Sequence, residues 1–381
     1  MNLKNSSFVI VTHVYATGPA FKLEEYLQKK TKYLIFIGHP FSYTKDTRSF
    51  LRIYKNGKLV KENKFIKWKG PEITFYFKDI FLTLWWVLKF SSKIDYFVGV
   101  DNLNAFSGYI LRLTGKVKHV VFYTIDYVPN RFENKTLNSI YHYLDRFAVR
   151  KSDRVWNLSP IMVKEREKRG VAKKFRSKQI VVPIGTTMPK KISTSVKKDR
   201  YKIVHMGHLL EKQGVEKLIE AMRDVVKKVP KANLLVVGGG PLEEKLKKDV
   251  VRFKLQKYVK FTGFVKEFSE VEEMLKTSSI AVAPYLDTKD TYTRYTDPGK
   301  PKDYLASGLP VVITKVPQVA YEIEKNKCGI AINDDKKELT EALITLLTNE
   351  KKFYEFGKNA LKMAKEYTWD KIFNKALRQT L

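Results

Sequence analysis

Short apolar runs alternate with amphipathic stretches along the first half of the chain. Runs at 8–14, 33–38, 96–100 and 119–123 have the length and β-branched or aromatic content of strands. Between them, apolar residues recur at helical spacing near 20–30, 75–90, 105–114 and 136–151, and strands at 155–159 and 180–182 follow. This alternation predicts a parallel, doubly wound sheet with ligands at the carboxyl ends of its strands. The Pro- and Gly-containing run Val182-Pro-Ile-Gly-Thr-Thr-Met-Pro189, followed by polar residues to Arg200, interrupts it. The pattern then restarts, with strands at 201–206, 233–237, 259–262 and 280–284 and helices at 215–228, 242–253 and 269–277. The expected fold class is therefore α/β: two doubly wound Rossmann-like domains facing across a cleft. They span 1–185 and 201–365, joined by a linker at 186–200. An amphipathic helix at 366–381 is expected to pack Trp369 back onto the first domain.

Length agrees with two domains, since 381 residues exceed one small core. The single cysteine, Cys328, excludes an internal disulfide and a multi-cysteine metal site, and fits a reducing compartment. The polar first seven residues run straight into a strand, with no secretory signal ahead of it. The longest apolar run, near 80–88, is far short of the ~20 residues that span a bilayer. These features predict a cytoplasmic protein.

Charge sharpens the picture. The formal net charge is +32, and residues 1–190 carry 35 Lys and Arg against 14 Asp and Glu. Such a basic half implies an anionic partner or simple solubility. Lys far outnumbers Arg, the cations are scattered, and no zinc-finger or RNA-binding aromatic motif is present, so nucleic acid is not expected. An anionic membrane surface at the inner face is a remaining partner. The aromatic stretch 75–90, with Trp85 and Trp86 beside Lys78 and Lys89, suits such an interface. Because it is apolar nearly all round, a helix buried on the sheet is the competing reading.

Candidate chemistry concentrates at strand ends. Asp297-Pro-Gly-Lys-Pro-Lys-Asp303 reads as a turn opening a short helix before the strand that starts near Leu309. Unpaired N–H groups there and Lys300 would attract a phosphate, and Asp303 could accept hydrogen bonds from a ribose diol. The glycines Gly238-Gly239-Gly240 allow close backbone approach but form neither a P-loop nor a dinucleotide fingerprint. His208 and Lys212 sit in a strand–helix joint where both could donate to a diphosphate. Phe264 is either a stacking platform for a base or a buried aromatic. In the first half, Gly18 leaves room between strand and helix, while Asp101 and Asp126 each follow a strand. One of them could orient or deprotonate an acceptor hydroxyl; helix capping and turn formation are their structural alternatives. Asn102 stands beside Asp101.

Together these segments resemble the donor half of GT-B glycosyltransferases, most like the retaining family 4. The resemblance lies in Met206-Gly-His-Leu-Leu-Glu-Lys-Gln-Gly214 and the helix after it, Val237-Gly-Gly-Gly-Pro-Leu242, Phe261-Thr-Gly-Phe-Val265, Lys300–Val311 and Tyr367-Thr-Trp-Asp370. It implies a nucleotide-diphosphate sugar as donor and a glycan or lipid-linked acceptor. No metal or other cofactor is required. By this resemblance Asp303 holds the ribose, while Gly239, Pro298, Gly299 and Lys300 meet the diphosphate or sugar. Asp297 stands in for an altered sugar-binding glutamate, whose place holds Tyr295. Gly18 lies opposite, and Asp126 takes the place of a first-domain histidine. The usual cationic clamp is altered to His208 and Gln213, with Lys212 one step away. An epimerase of the same plan and a non-catalytic anion-binding protein are the alternative readings.

Overall fold

The computed structural model describes residues 3–14, 18–189, 198–288 and 292–380. The chain divides into two compact units, Met1–Pro183 with Trp369–Leu381, and Ile184–Thr368. In chain order the first unit contains β1 (Ser7–Val14), α1 (Pro19–Gln28), β2 (Tyr33–Pro40), β3 (Phe50–Lys55), β4 (Lys58–Lys64), α2 (Glu72–Phe90), β5 (Ile94–Val100) and α3 (Asn102–Leu113). It continues with β6 (Val117–Thr124), α4 (Lys135–Lys151), β7 (Arg154–Asn157), α5 (Pro160–Lys168) and β8 (Gln179–Val181). Its eight-stranded sheet has the order β4-β3-β2-β1-β5-β6-β7-β8. From β2 to β8 every pairing is parallel. The hairpin of β3 and β4 adds an antiparallel edge, turned at Asn56-Gly57, both with positive φ. Sequence reading missed this hairpin because β4, with Lys58, Lys61 and Lys64, is exposed along its whole length and shows no apolar alternation.

The second unit holds β9 (Lys202–Met206), α6 (Val215–Lys228), β10 (Asn233–Val237), α7 (Glu243–Arg252), β11 (Val259–Phe261), α8 (Phe268–Lys276), β12 (Ile280–Ala283), α9 (Lys300–Ala306) and β13 (Val311–Thr314). Then come α10 (Val319–Lys325), β14 (Gly329–Ile332), α11 (Lys336–Thr348) and α12 (Glu350–Glu366). Its six strands run β11-β10-β9-β12-β13-β14, all parallel. Burial on both faces explains their continuous apolar sequences, such as the fully buried Ile280–Ala283 and Val311–Thr314.

Two boundaries differ from expectation. The predicted linker begins inside the second unit. Thr186 donates its N–H to the Tyr367 carbonyl (2.8 Å), and Lys198 donates to the carbonyls of Ser307 and Gly308. Residues 190–197 of that linker lie outside the described residues. The terminal helix is α13 (Trp369–Thr380), separated from α12 at Tyr367 and Thr368, and it belongs to the first unit. The Tyr26 hydroxyl donates to Asn374 (3.0 Å), Trp156 Nε1 donates to Thr380 (2.9 Å), and Trp369 stacks on Phe373.

Among the described residues no helix is long and apolar enough to cross a membrane. The aromatic helix α2 is not buried all round, as its composition suggested. Leu82, Trp86 and Val87 pack on the sheet, whereas Ile73, Phe77, Phe81, Trp85 and Leu88 are exposed.

Candidate functional sites in the two units

In a doubly wound sheet the crevice forms where the strand order reverses. In the second unit this is between β9 and β12, whose carboxyl ends lead to Gly207 and to Tyr285. Gly207 and Gly238 both take a positive φ, and a Cβ on Gly238 would overlap the Gly207 carbonyl oxygen. The joint after β9 therefore packs directly on the glycine turn after β10, and Gly239 lies against the backbone of Phe264. Phe264 is 83% exposed, so the buried-aromatic alternative is wrong for it. His208 is exposed as well.

Lys300 opens α9 and reaches back beside Gly207, where its Nζ donates to the Gln213 side-chain oxygen and sits 5.5 Å from the Tyr285 ring centroid. Burial, helped by the charge of Lys212, lowers its pKa to about 7. No carboxylate among the described residues stands within ion-pair distance of it. Lys212 lies 3.7 Å over the Tyr292 ring. The charge of Lys212 thus bears on the largely buried Lys300, and the two cations make this strand-end crevice electropositive. The helix itself supplies little field: α9 is only seven residues long.

Asp303 lies one turn further on. Its Oδ1 accepts from the Thr186 hydroxyl (2.8 Å). Burial raises its pKa to about 6, against the opposing effects of that hydrogen bond and of Lys302. Asp297 is engaged within its own unit. Its Oδ1 pairs with the fully buried Lys302, and its Oδ2 accepts from the Ile184 N–H (2.7 Å). The carboxylate is thus engaged inside the unit and pins the loop that carries Pro298 and Gly299. Gly299 caps α9 with ordinary helical angles and packs near Ile184.

The first unit reverses its strand order between β1 and β5, and there His13 and Asp101 meet. His13 Nδ1 is 3.7 Å from Asp101 Oδ2, and its Nε2 is 3.4 Å from Asp79 Oδ2. Burial would lower the His13 pKa, but the neighbouring carboxylates Asp101 and Asp79 prevail and raise it to about 9. Asp79, on α2, also pairs with Lys78 (3.0 Å) and lies 3.2 Å from His39. Burial keeps His39 below its ordinary pKa; its two ring nitrogens bond to Ser49 and Thr83, both at 2.9 Å.

Asp101 itself has φ +81° and ψ 161°, a conformation that favours glycine and costs a non-glycine residue on the order of 1–3 kcal/mol. Its N–H donates to the Tyr123 carbonyl, and its carbonyl starts α3. Its side chain makes no capping hydrogen bond, so the capping alternative fails. Asn102 donates to the Tyr141 carbonyl (3.3 Å). Asp126 is held by Arg131, whose Nη1 donates to its Oδ2 at 2.7 Å. Asp126 is not among the residues lining the pocket of His13, Asp101, Asn102 and Arg131, and it reaches that pocket through its pair with Arg131. Gly18 caps α1, and a Cβ there would meet nothing within 4 Å.

Sequence reading missed His13, Asp79 and Arg131. His13 is the next-to-last residue of β1 and could have been found as a strand-end residue facing a reversal. Asp79 was hidden inside an aromatic run. Arg131 depended on a loop conformation that no periodicity encodes.

Residues 200–349, most of the second unit, match the family described as Glycosyl transferases group 1. The match supports a group 1 glycosyltransferase domain there. An uncharacterized glycosyltransferase of Haemophilus influenzae is 24% identical over 289 residues, which are 74% of each chain. Other curated relatives are matched over only 25% to 44% of their own length. Among solved structures, sucrose-phosphate synthase from Thermosynechococcus elongatus superimposes with a TM-score of 0.72 at 15% identity, covering 98% of this chain and 99% of that one. Anabaena HepE in complex with UDP-glucose gives 0.68 at 14%, covering 98% of both. The fold is thus that of the GT-B glycosyltransferases, with two Rossmann-like domains.

Proposed function

We propose that the protein is a retaining glycosyltransferase of the family 4 kind, moving a sugar from a nucleoside-diphosphate donor to a hydroxyl acceptor. The observation that carries this reading is the Lys300–Lys212 pair, uncompensated by any described carboxylate, beside Asp303 in a domain that matches group 1 glycosyltransferases. The diphosphate lies against Lys300 and Lys212, the ribose diol bonds to Asp303, and the base stacks on Phe264. The acceptor hydroxyl attacks the anomeric carbon as the bond from that carbon to the diphosphate oxygen breaks. The charge developing on the leaving diphosphate is met by Lys300, Lys212 and His208. The hydroxyl proton passes to the departing phosphate oxygen. Because these cations supply the compensation, the reading requires no metal. On the acceptor side Asp101 orients the hydroxyl, with Asn102 and Arg131 beside it. The excess of cations in the first unit would hold the protein at an anionic membrane surface on the cytoplasmic face.

A thermal-shift panel of nucleoside diphosphates and nucleotide sugars tests it. At least one member is expected to raise the melting temperature of the wild type, and Asp303→Ala is expected to remove the rise. A wild type indifferent to the whole panel contradicts the proposal.

The pH dependence of donor binding has a defined sign. Asp303 must be ionised, which holds above about 6, and Lys300 must be charged, which holds below about 7. The affinity for a nucleotide sugar, whose diphosphate keeps its charge over this range, should peak near pH 6–7. It should fall by up to about tenfold per pH unit on either side. Calorimetric titration from pH 5 to 9 checks this, and a flat profile contradicts it.

A further inference from the structure

The pocket that contains Asp101 is mostly apolar, although the proposed reaction needs only hydroxyl contacts there. It lies wholly within the first unit and encloses about 310 Å³. That is at the lower end of the roughly 300–1,000 Å³ of small-molecule sites. Ile73, Phe77 and Ile80 of α2 form one wall, and Leu137, Ile140 and Leu144 of α4 form the other. The polar groups, His13, Asp101, Asn102 and Arg131, come from the strand ends and the loop before α4. The site is amphipathic: charged groups from the topological reversal on one side, hydrocarbon walls from two helices on the other.

The apolar surface continues beyond the pocket. Phe77, Phe81, Trp85 and Leu88 are exposed along α2 at spacings of four, four and three, a single stripe on the helix. The stripe ends at two cations over aromatic rings. Lys89 Nζ is 5.0 Å from the Trp85 centroid, and Lys61 Nζ is 4.5 Å from that of Phe90. A protein-binding groove would not need that basic border. The head-group zone of an anionic lipid layer matches it in charge and in aromatic content.

Resting on the transferase reading above, we propose that the acceptor is an amphiphile. Its hydrocarbon chain occupies the groove between α2 and α4, and its hydroxyl-bearing head reaches Asp101. The chain enters from the stripe side, so the acceptor is taken from a lipid layer rather than from bulk water. His13 and Asp79 fix the carboxylate that receives the head, and Arg131, held by Asp126, closes the polar side.

Alkyl glucosides, used below their critical micelle concentrations, supply both halves of such a ligand. All five tryptophans, Trp68, Trp85, Trp86, Trp156 and Trp369, belong to the first unit, so quenching of their fluorescence reads binding there. The affinity of the full chain is expected to rise about fourfold for each added methylene until the groove is filled. Free glucose should not bind measurably. Phe77 and Ile140 are 69% and 50% exposed, so Phe77→Asp and Ile140→Asp leave the core intact. Each is expected to weaken decyl glucoside at least tenfold without lowering the melting temperature. The thermal shift produced by UDP or another nucleotide should stay the same in both variants.

An affinity independent of chain length, or equal affinity in wild type and variants, overturns the proposal. So does a wild-type dimer that Phe77→Asp dissociates, because the groove would then be a contact between copies. If nucleotides shift the wild type but glucosides do not bind, only the acceptor assignment falls. If no nucleotide shifts it, the transferase reading falls separately.

Discussion

Lys300→Met is expected to lower kcat/KM for sugar transfer by on the order of 10²–10³, while the melting temperature holds or rises. On the proposed transferase reading, the first effect follows from removing a cation that meets the charge developing on the leaving group. The second follows from the direction of the lysine's pKa. A lysine whose folded pKa falls from 10.5 to about 7 destabilises the fold whenever it is charged. That penalty is largest below pH 7 and fades as pH rises towards the unfolded value. Methionine keeps most of the stem and removes the charge, so it relieves the penalty. Steady-state kinetics and thermal melts of the same preparations check the pair of effects. Lost activity accompanied by a lower melting temperature would mark Lys300 as structural.

Asp79→Ala should destabilise the first unit by about 3–5 kcal/mol, the usual cost of removing one partner from a buried ion pair. Lys78, His13 and His39 all lean on this carboxylate, and its side chain is 3% exposed. Tryptophan fluorescence during urea unfolding follows the first unit alone, because every tryptophan lies there. The same measurement carries a pH test. The His13 pKa is raised from 6.5 to about 9, so its stabilising contribution is complete below pH 6.5 and lost as pH rises through about 9. The wild-type urea midpoint should therefore fall between pH 7 and 9.5. Asp79→Asn should flatten that slope, because much of the charge that holds the proton is gone. An unchanged midpoint in Asp79→Ala would show that the network contributes nothing.

Much of the fold was legible because strands buried on both faces are written as unbroken apolar runs. The helix at 215–228 and the strand at 233–237 coincide with α6 and β10, and most other boundaries fall within two or three residues. Sequence reading assigned no element to α5, α10, β14, α11 or α12, and it also missed structure that is exposed or paired at long range. The lysine-rich β4 is held by pairing with β3, and its side chains touch little. In the second unit Lys300, Lys212 and Asp303 could be named from strand ends, turn chemistry and the resemblance. The engagement of Asp297 by Lys302 could not, because two residues five apart meet only if the turn between them folds back. The first-unit site was least legible. Asp101 was visible at a strand end, but its partner His13 comes from β1 and Asp79, on the other side of that ring, from α2, and only the fold brings the three together.

The central claim is that an anionic leaving group is received by Lys300 and Lys212. A crystal structure of the protein soaked with UDP tests it most directly. The account predicts diphosphate oxygens within hydrogen-bonding distance of Lys300 Nζ and the ribose hydroxyls on Asp303. Bound nucleotide in any other place, with Lys300 still turned to Gln213, would contradict it.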